Sequence, residues 1–179
     1  DSVRERERLW TDKEGNGEAF EFFKKTAFEK MKILKIPFTF ENPELAEQSL
    51  LGRQRIAHLN HIYNLVKVMQ NFCDQFGILV DFEHYIHNSL DPDDEIRFCV
   101  PDVGKFVSAV HLYSPTPLHR PMPIEVGSED QRHIYGWLFN LKQKGFEEGI
   151  LIFERGGGQN PGEYIKTSIY AIRLMVEQL

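Results

Sequence analysis

The sequence lacks several features that mark whole classes of protein. It has only two cysteines, Cys73 and Cys99, in apolar surroundings and without zinc-site spacing, so we expect reduced thiols rather than a disulfide framework. No apolar run reaches the roughly 18 residues of a membrane span, and the charged start over residues 1–8 has no apolar signal-peptide core. An initiator Met is also missing, so we expect a fragment or a trimmed chain. These absences predict an intracellular protein, cytoplasmic or nuclear, with no membrane partner.

An excess of positive charge is missing as well. The chain carries 21 Lys and Arg against 27 Asp and Glu, a net charge of −6. This balance argues against a protein that coats nucleic acid non-specifically, although a local basic groove stays compatible with it. The 179 residues, 41% of them hydrophobic, are enough for one globular domain with a real core, and we expect a single domain over 1–179.

Hydrophobic periodicity then divides the chain into helices and strands. Apolar residues at helical spacing predict helices over 18–35, 43–76, 129–144 and 161–179. Apolar and β-branched segments predict strand material over 78–86, 96–100, 103–113, 122–126 and 149–153. The last strand–helix–strand unit requires a parallel crossover. We therefore predict an α/β fold, with a mixed sheet flanked by helices.

The proline-rich segment 114–123 interrupts this pattern, and we expect an extended surface loop there. The alternative is that this segment, with His119 and Arg120 in it and His111 beside it, forms a surface for a partner or a substrate. The sequence leaves both interpretations open.

Two carboxylates in the centre of the chain are candidates for a metal site. Asp102 directly follows a proline, where a strand bends, and Glu125 lies within a short apolar run. A buried carboxylate is costly unless a cation accompanies it, and two carboxylates held close together suit Mg²⁺. The alternative is that both acids form ordinary salt bridges, for example with Arg97 or Arg132.

A short set of motifs surrounds these two acids. Pro101-Asp102 is followed by Glu125 in its apolar run and then by a predicted helix that carries Gln131-x-x-x-Tyr135. This order resembles the PD-(D/E)XK nuclease superfamily, RecB-like branch, over about residues 44–155. The resemblance implies a restriction-endonuclease-like core over 44–179, preceded by an N-terminal helical extension over 1–43.

The resemblance also implies roles for individual residues. Asp102 and Glu125 would bind Mg²⁺ or Mn²⁺, with the carbonyl of Val126 as a further ligand. Gln131 and Tyr135 would brace the site and approach the substrate. An acid of the leading helix often completes such a site, and Glu47 is its candidate here, with Glu83 and His84 as weaker ones.

Gly127 departs from the family pattern, which has a lysine at that position to polarise the attacking water. One outcome is an active Mg- or Mn-dependent endonuclease or exonuclease whose lysine has moved elsewhere. The basic candidates nearest in sequence are Lys105, Arg132, Lys142 and Lys144. The other outcome, which we favour, is a degenerate nuclease-like domain that serves as a protein-interaction or nucleic-acid-docking module. Its partners would be DNA or RNA, another protein, or the rest of a larger polypeptide.

Overall fold

A computed structural model describes residues 24–35, 37–44, 57–112, 123–153 and 161–179. Within them the chain forms a π-helical turn, a 3₁₀ turn, six α-helices and four strands. In chain order these are the π turn Lys24–Phe28, α1 Glu29–Leu34, β1 Phe38–Glu41, α2 Leu59–Gln70, β2 Phe76–Asp81, α3 Phe82–His87, α4 Pro92–Arg97, the 3₁₀ turn Val103–Phe106, β3 Val107–Leu112, α5 Glu129–Gln143, β4 Ile150–Phe153 and α6 Pro161–Val176.

The four strands form one sheet in the order β1-β2-β3-β4, and every neighbouring pair is parallel. The α/β fold with flanking helices is confirmed, but the prediction of a mixed sheet is wrong. The physical reason is that a segment containing at least one helix separates each strand from the next, which lets the chain return to the same end of the sheet before every new strand.

Several predicted boundaries also change. The segment 78–86, predicted as one strand, is the end of β2 followed directly by α3, and the region predicted as one long helix over 43–76 contains α2 and the beginning of β2. Residues 123–128, predicted in part as a strand, contain no strand. The first strand of the sheet, β1, lies inside the stretch 1–43 that the resemblance assigns to a helical extension.

One face of the sheet is covered by helices. Strand side chains alternate between the two faces, and the strand register places Ile78, Val80, Val110 and Leu151 on the same face. These side chains join a single apolar cluster with the inward faces of α2, α5 and α6, whose members include Val66, Met69, Ile134, Leu138, Ala171, Ile172 and Met175. The long helices therefore pack on one side, as right-handed crossovers between successive neighbouring strands require.

The opposite face has a different character. By the same alternation and register it carries Glu41, Leu79, Asp81, Ala109, His111, Ile150 and Ile152. Ile150 is 66% exposed and Ile152 is 36% exposed, although both are large and apolar. This second face, defined by these seven residues, combines polar groups at the carboxyl ends of the strands with apolar groups elsewhere, and it includes the buried Asp81 and Ala109.

A β-bulge sets the phase of β3 relative to β2. Ile78 pairs with Val107, whereas the next residue, Leu79, pairs with Ala109, so Ser108 is an extra residue in β3. Because Ser108 is left unpaired, His111 pairs with Asp81 and lies on the second face.

Candidate metal centre

Three chemically active side chains meet where three neighbouring strands end. Glu41 is the last residue of β1, Asp81 is the last residue of β2, and His111 is the penultimate residue of β3. Because the strands are parallel, their carboxyl ends lie at the same edge of the sheet, which is where open α/β sheets bind ligands. We call these three residues the strand-end cluster.

The strand-end cluster is compact. One ligating atom from each residue lies within 4.8 Å of the corresponding atoms of the other two. His111 Nδ1 lies 3.1 Å from Asp81 Oδ2 and 3.6 Å from Glu41 Oε1. Asp81 is only 1% exposed, whereas Glu41 lies at the surface, so the cluster is anchored in the interior and open on one side.

Asp81 is held by a fully buried asparagine. Asn42 follows Glu41 directly, and its side chain donates to the Asp81 carbonyl and accepts from the Asp81 amide, both at 2.7 Å. The Asp81 side chain also begins α3, because Oδ1 accepts from the His84 amide at 3.0 Å as an N-cap. Oδ2 remains directed towards the cluster. Such support of a ligating group is typical of metal sites, where outer partners orient the ligands.

His84 lies beside the cluster on the first turn of α3. Its Nδ1 is 2.7 Å from the Asn42 carbonyl oxygen, so this nitrogen donates its proton to that oxygen. In the neutral ring, Nε2 then carries the lone pair. That atom lies 3.8 Å from Asp81 Oδ2, which is too long for a hydrogen bond.

The cluster offers two carboxylate oxygens and one imidazole nitrogen. Carboxylates are hard ligands, whereas imidazole suits borderline ions such as Zn²⁺, Fe²⁺, Co²⁺ and Ni²⁺. Three protein ligands leave further positions of a divalent ion open, which is the pattern of catalytic rather than structural metal sites. The donor set therefore fits a divalent transition metal.

The structure does not bring the predicted ligands Asp102 and Glu125 together. Asp102 lies two residues before Gly104, whose amide donates to the Lys144 carbonyl at the C-terminal end of α5. Glu125 accepts from the amide of Ser128, the N-cap of α5. The 15 residues of α5 separate these ends by about 22 Å, so the two carboxylates cannot share an ion in this arrangement.

Gln131 and Tyr135 do share one face of α5, but they connect it to α6. The side-chain amide of Gln131 donates through Nε2 to the Ala171 carbonyl at 2.9 Å. Its Oε1 accepts from the backbone amide of Gly127 at 2.7 Å. The Tyr135 hydroxyl donates to the Gln178 carbonyl at 3.4 Å. Gly127 has a φ of +78°, a left-handed conformation that favours glycine, so a turn explains this residue without reference to a lost lysine.

The remaining predicted residues have individual outcomes. The Val126 side chain is exposed next to Glu125, and Glu47 lies outside the described residues. Two candidates for a relocated lysine bind backbone oxygens instead. Lys142 donates to the Leu179 carbonyl. Lys144 donates to the carbonyls of Arg97 and Cys99, and both of these bonds are 2.9 Å long.

Two buried side chains in the described part of the chain, Tyr85 and Cys99, have clearly raised pKa values. Burial raises the pKa of Cys99 to about 11. Burial also raises the pKa of Tyr85 well above its ordinary value, and Glu95, Cys99 and Asp81 add to this shift. Both groups therefore stay neutral at physiological pH, and neither is poised for chemistry.

The strand-end cluster was missed by the sequence analysis, although a signal was present. Each of its residues follows a short apolar segment, as in Phe-Thr-Phe-Glu41, Ile-Leu-Val-Asp81 and Ala-Val-His111. A polar residue at the end of each of three buried parallel strands indicates a ligand site. That signal required β1 to be recognised as a strand and the whole sheet to be parallel.

No helix in the described part of the chain is long and apolar enough to cross a membrane.

Comparisons with known proteins add no assignment. No family model matches the chain, and no curated protein is detectably similar to it in sequence.

Proposed function

We propose that this chain belongs to a metal-dependent enzyme whose divalent ion is bound by Glu41, Asp81 and His111. The observation that supports the proposal most directly is the meeting of these three side chains, within 4.8 Å, at the carboxyl ends of three parallel strands. A buried carboxylate such as Asp81 is costly to hold in its charged form, and a cation offsets that cost.

The charge of the site favours an uncharged substrate. Two carboxylates offset both charges of a divalent ion, so the loaded centre with a neutral His111 is formally neutral. Such a centre attracts a polyanion such as a nucleic-acid backbone less than a cationic centre does. Carbonyl and hydroxyl oxygens are suitable ligands for its open positions, so we propose a small oxygen-rich substrate, such as a sugar or another hydroxy-carbonyl compound.

His84 is the proposed proton-transfer residue. When bound, the metal would polarise a substrate carbonyl or hydroxyl. The Asn42 carbonyl holds the ring in the tautomer with the lone pair on Nε2, so a neutral His84 is able to accept a proton. We therefore propose chemistry that begins by removing a proton beside a polarised oxygen, as in isomerases and lyases.

Metal binding by the whole chain tests the centre itself. We expect Mn²⁺, followed by the EPR signal of the free ion, to bind the wild type, and Asp81→Asn to weaken binding more than 100-fold, because losing a ligand costs more than losing an outer partner. Asparagine keeps the shape and the N-cap of Asp81. Asp102→Asn and Glu125→Gln are the matched controls, and we expect neither to change the affinity.

Two results would overturn the proposed centre. One is that the wild type binds none of Mn²⁺, Co²⁺ and Zn²⁺ at millimolar concentration. The other is that Asp102→Asn weakens binding as much as Asp81→Asn does, which would restore the site implied by the nuclease-like motifs. The chemistry is tested separately by solvent deuterium incorporation into a panel of hydroxy-carbonyl compounds with Mn²⁺ present. His84→Asn should abolish the incorporation and leave metal affinity nearly unchanged. His133→Asn, on the exposed side of α5, is the control and should change neither the incorporation nor the metal affinity.

A nuclease-like domain, active or degenerate, remains the prediction of the motif resemblance, and so does its restriction-endonuclease-like core. Its motif residues lie at opposite ends of α5 and along the contact between α5 and α6. No observation on the described residues favours it over the strand-end cluster, so we do not propose it as the function.

A further inference from the structure

Three consecutive residues directly after β1 are held by side chains of α3 and of its C-cap residue. Each contact joins one residue of this segment to one side chain: the Asn42 carbonyl to His84 Nδ1 at 2.7 Å, the Pro43 carbonyl to Asn88 Nδ2 at 2.9 Å, and Glu44 Oε1 to His87 Nδ1 at 3.2 Å. We call these three contacts the α3 clasp. Because the segment starts directly after Glu41 and contains the asparagine that orients Asp81, the clasp adjoins two of the three proposed metal ligands.

The third contact of the α3 clasp differs from the other two because it depends on charge. His87 has a carboxylate beside each ring nitrogen, since Glu83 Oε1 lies 3.4 Å from Nε2 and Glu44 Oε1 lies beside Nδ1. A neutral imidazole carries a proton on one nitrogen and a lone pair on the other, so it would direct its lone pair at one of the two carboxylates. The imidazolium form presents an N–H group to both. The arrangement therefore favours a charged His87.

Other ionisable groups near α3 are engaged elsewhere. Both β3 and α4 pack against this helix. On β3, His111 faces Asp81 of the strand-end cluster, and on α4, Glu95 accepts from the first backbone amide of α2. On α3 itself, His84 bonds a backbone carbonyl. Among the described residues, the two carboxylates beside its ring are therefore the groups that favour the charged form of His87.

We propose that the α3 clasp makes the strand-end cluster sensitive to pH: protonation of His87 strengthens the clasp, and the clasp holds Glu41 and Asp81 in the positions that bind a divalent ion. This inference rests on the proposed function, whose metal site it regulates. An imidazole changes its charge between about pH 5 and pH 8. Because the clasp favours the charged ring, its stabilising effect is present at the acidic end of this range and is lost as the pH rises.

The clasp is tested first in the metal-free protein. A double-mutant cycle of His87→Gln and Glu44→Gln, measured by urea unfolding, gives the coupling between the two side chains. We expect a coupling of about threefold in the unfolding equilibrium constant at pH 6, typical of a partly exposed ion pair, and none at pH 8. In the control cycle, His133→Gln on the exposed side of α5 replaces His87→Gln and should show no coupling with Glu44→Gln at either pH.

Mn²⁺ binding then tests the regulation. At pH 6, His87→Gln removes a positive charge, whereas Glu44→Gln removes a negative one. Electrostatic attraction alone would therefore change the Mn²⁺ affinity of the two variants in opposite directions, while loss of the clasp weakens binding in both. We expect both variants to bind Mn²⁺ about threefold more weakly than the wild type at pH 6. At pH 8, where the ring of His87 is neutral, His87→Gln should bind Mn²⁺ as the wild type does.

The inference is overturned if the metal-free protein shows no coupling at pH 6, if the coupling is the same at pH 8, or if the two variants change Mn²⁺ affinity in opposite directions. A wild type that binds no Mn²⁺ at either pH would overturn the proposed metal centre and the regulation together. A missing coupling in a wild type that binds Mn²⁺ would overturn the regulation alone, so the two failures are distinguishable. Circular dichroism of each variant confirms that a change in affinity is not a loss of the fold.

Discussion

The two ends of the parallel sheet are built from different interactions. At the carboxyl end, polar side chains make the contacts, since the Asn42 side chain bonds the backbone of Asp81 and the Asp81 carboxylate faces His111. At the amino end, one backbone group bonds another where the Gly104 amide donates to the Lys144 carbonyl. Lys144 itself donates to two backbone oxygens there.

This difference indicates which end of the sheet is suited to a ligand-binding site. Backbone contacts fix the distance between segments but provide few ligating groups, so the amino end serves packing. The carboxyl end collects charged groups on a rigid edge and leaves one side open. Asp102, predicted as a metal ligand, lies at the amino end, which is the end that the structure uses to join α5 to the sheet.

The largest expected effect is on the free energy of unfolding, from a substitution of Gly104 that disturbs packing at the amino end of the sheet without changing metal binding. A Cβ atom on Gly104 would lie 2.3 Å from the Phe146 amide nitrogen and 2.7 Å from the Leu141 carbonyl oxygen. Because these are backbone atoms, Gly104→Ala should lower the free energy of unfolding by about 3 kcal/mol, measured by urea denaturation. Mn²⁺ affinity of the folded variant should not change.

Gly136→Ala is the matched control, since a Cβ there meets no atom within 4 Å and the residue lies inside α5. It should stabilise the protein by up to about 1 kcal/mol. If the two glycine variants had equal stability, the close approach at Gly104 would be no constraint on the fold.

The next largest expected effect concerns Asn42, at the carboxyl end of the sheet. Asn42→Ala leaves the amide and carbonyl of the buried Asp81 without their partner, so the free energy of unfolding should fall by about 2 kcal/mol. Mn²⁺ affinity should fall about 10- to 100-fold, because Asn42 orients the ligand Asp81. Calorimetric Mn²⁺ titration and urea unfolding measure the two effects.

Asn64→Ala on the surface of α2 provides the reference, and its stability should change by less than about 0.5 kcal/mol. A variant Asn42→Ala that lost stability but retained full Mn²⁺ affinity would show that this asparagine supports the fold alone.

The smallest effect concerns pH. The pKa of Cys99 rises from an ordinary value of 9.0 to about 11 on folding. Between these values the unfolded chain releases the thiol proton and the folded chain retains it, so stability is fully present below about pH 9 and decreases as the pH rises. The loss should reach about 1 kcal/mol by pH 10.

Urea unfolding at pH 8 and pH 10 measures this loss. Cys99→Ala should lose about 1 kcal/mol less than the wild type over the same interval, because only the wild type has the thiol. An identical loss in both proteins would assign the pH dependence to other groups, such as the buried Tyr85.

Local sequence signals were sufficient for α5 and the last strand. The helix predicted over 129–144 is α5 almost without change, and the hydroxyl of Ser128 before it accepts from the backbone amide of Gln131 as an N-cap does. The apolar segment 149–153 is β4 almost without change. In these segments periodicity and capping agree, and no distant contact is needed to identify them.

The errors arose where distant contacts decide the structure. Four residues are too few for β1 to show a period, so the stretch 1–43 that contains it was assigned to a helical extension. The polar–apolar alternation of β2 continues in the sequence past Asp81. Asp81 is the N-cap of α3, but a capping residue does not interrupt that alternation, so the end of the strand could not be recognised. Motif spacing suggested that Asp102 and Glu125 meet, but it does not show that β3 lies between them and takes the chain from the amino end of the sheet to its carboxyl end.

The unpaired Ser108 sets the pairing register of the rest of β3. Because of this bulge, His111 rather than Val110 lies beside Asp81. Gly77 accommodates it, because a Cβ there would lie 2.0 Å from the Ser108 hydroxyl oxygen. If Ser108 instead paired with Leu79, Val110 would lie beside Asp81 and the imidazole of His111 would turn into the apolar core. The candidate site therefore depends on the pairing register of β3 as well as on its side chains.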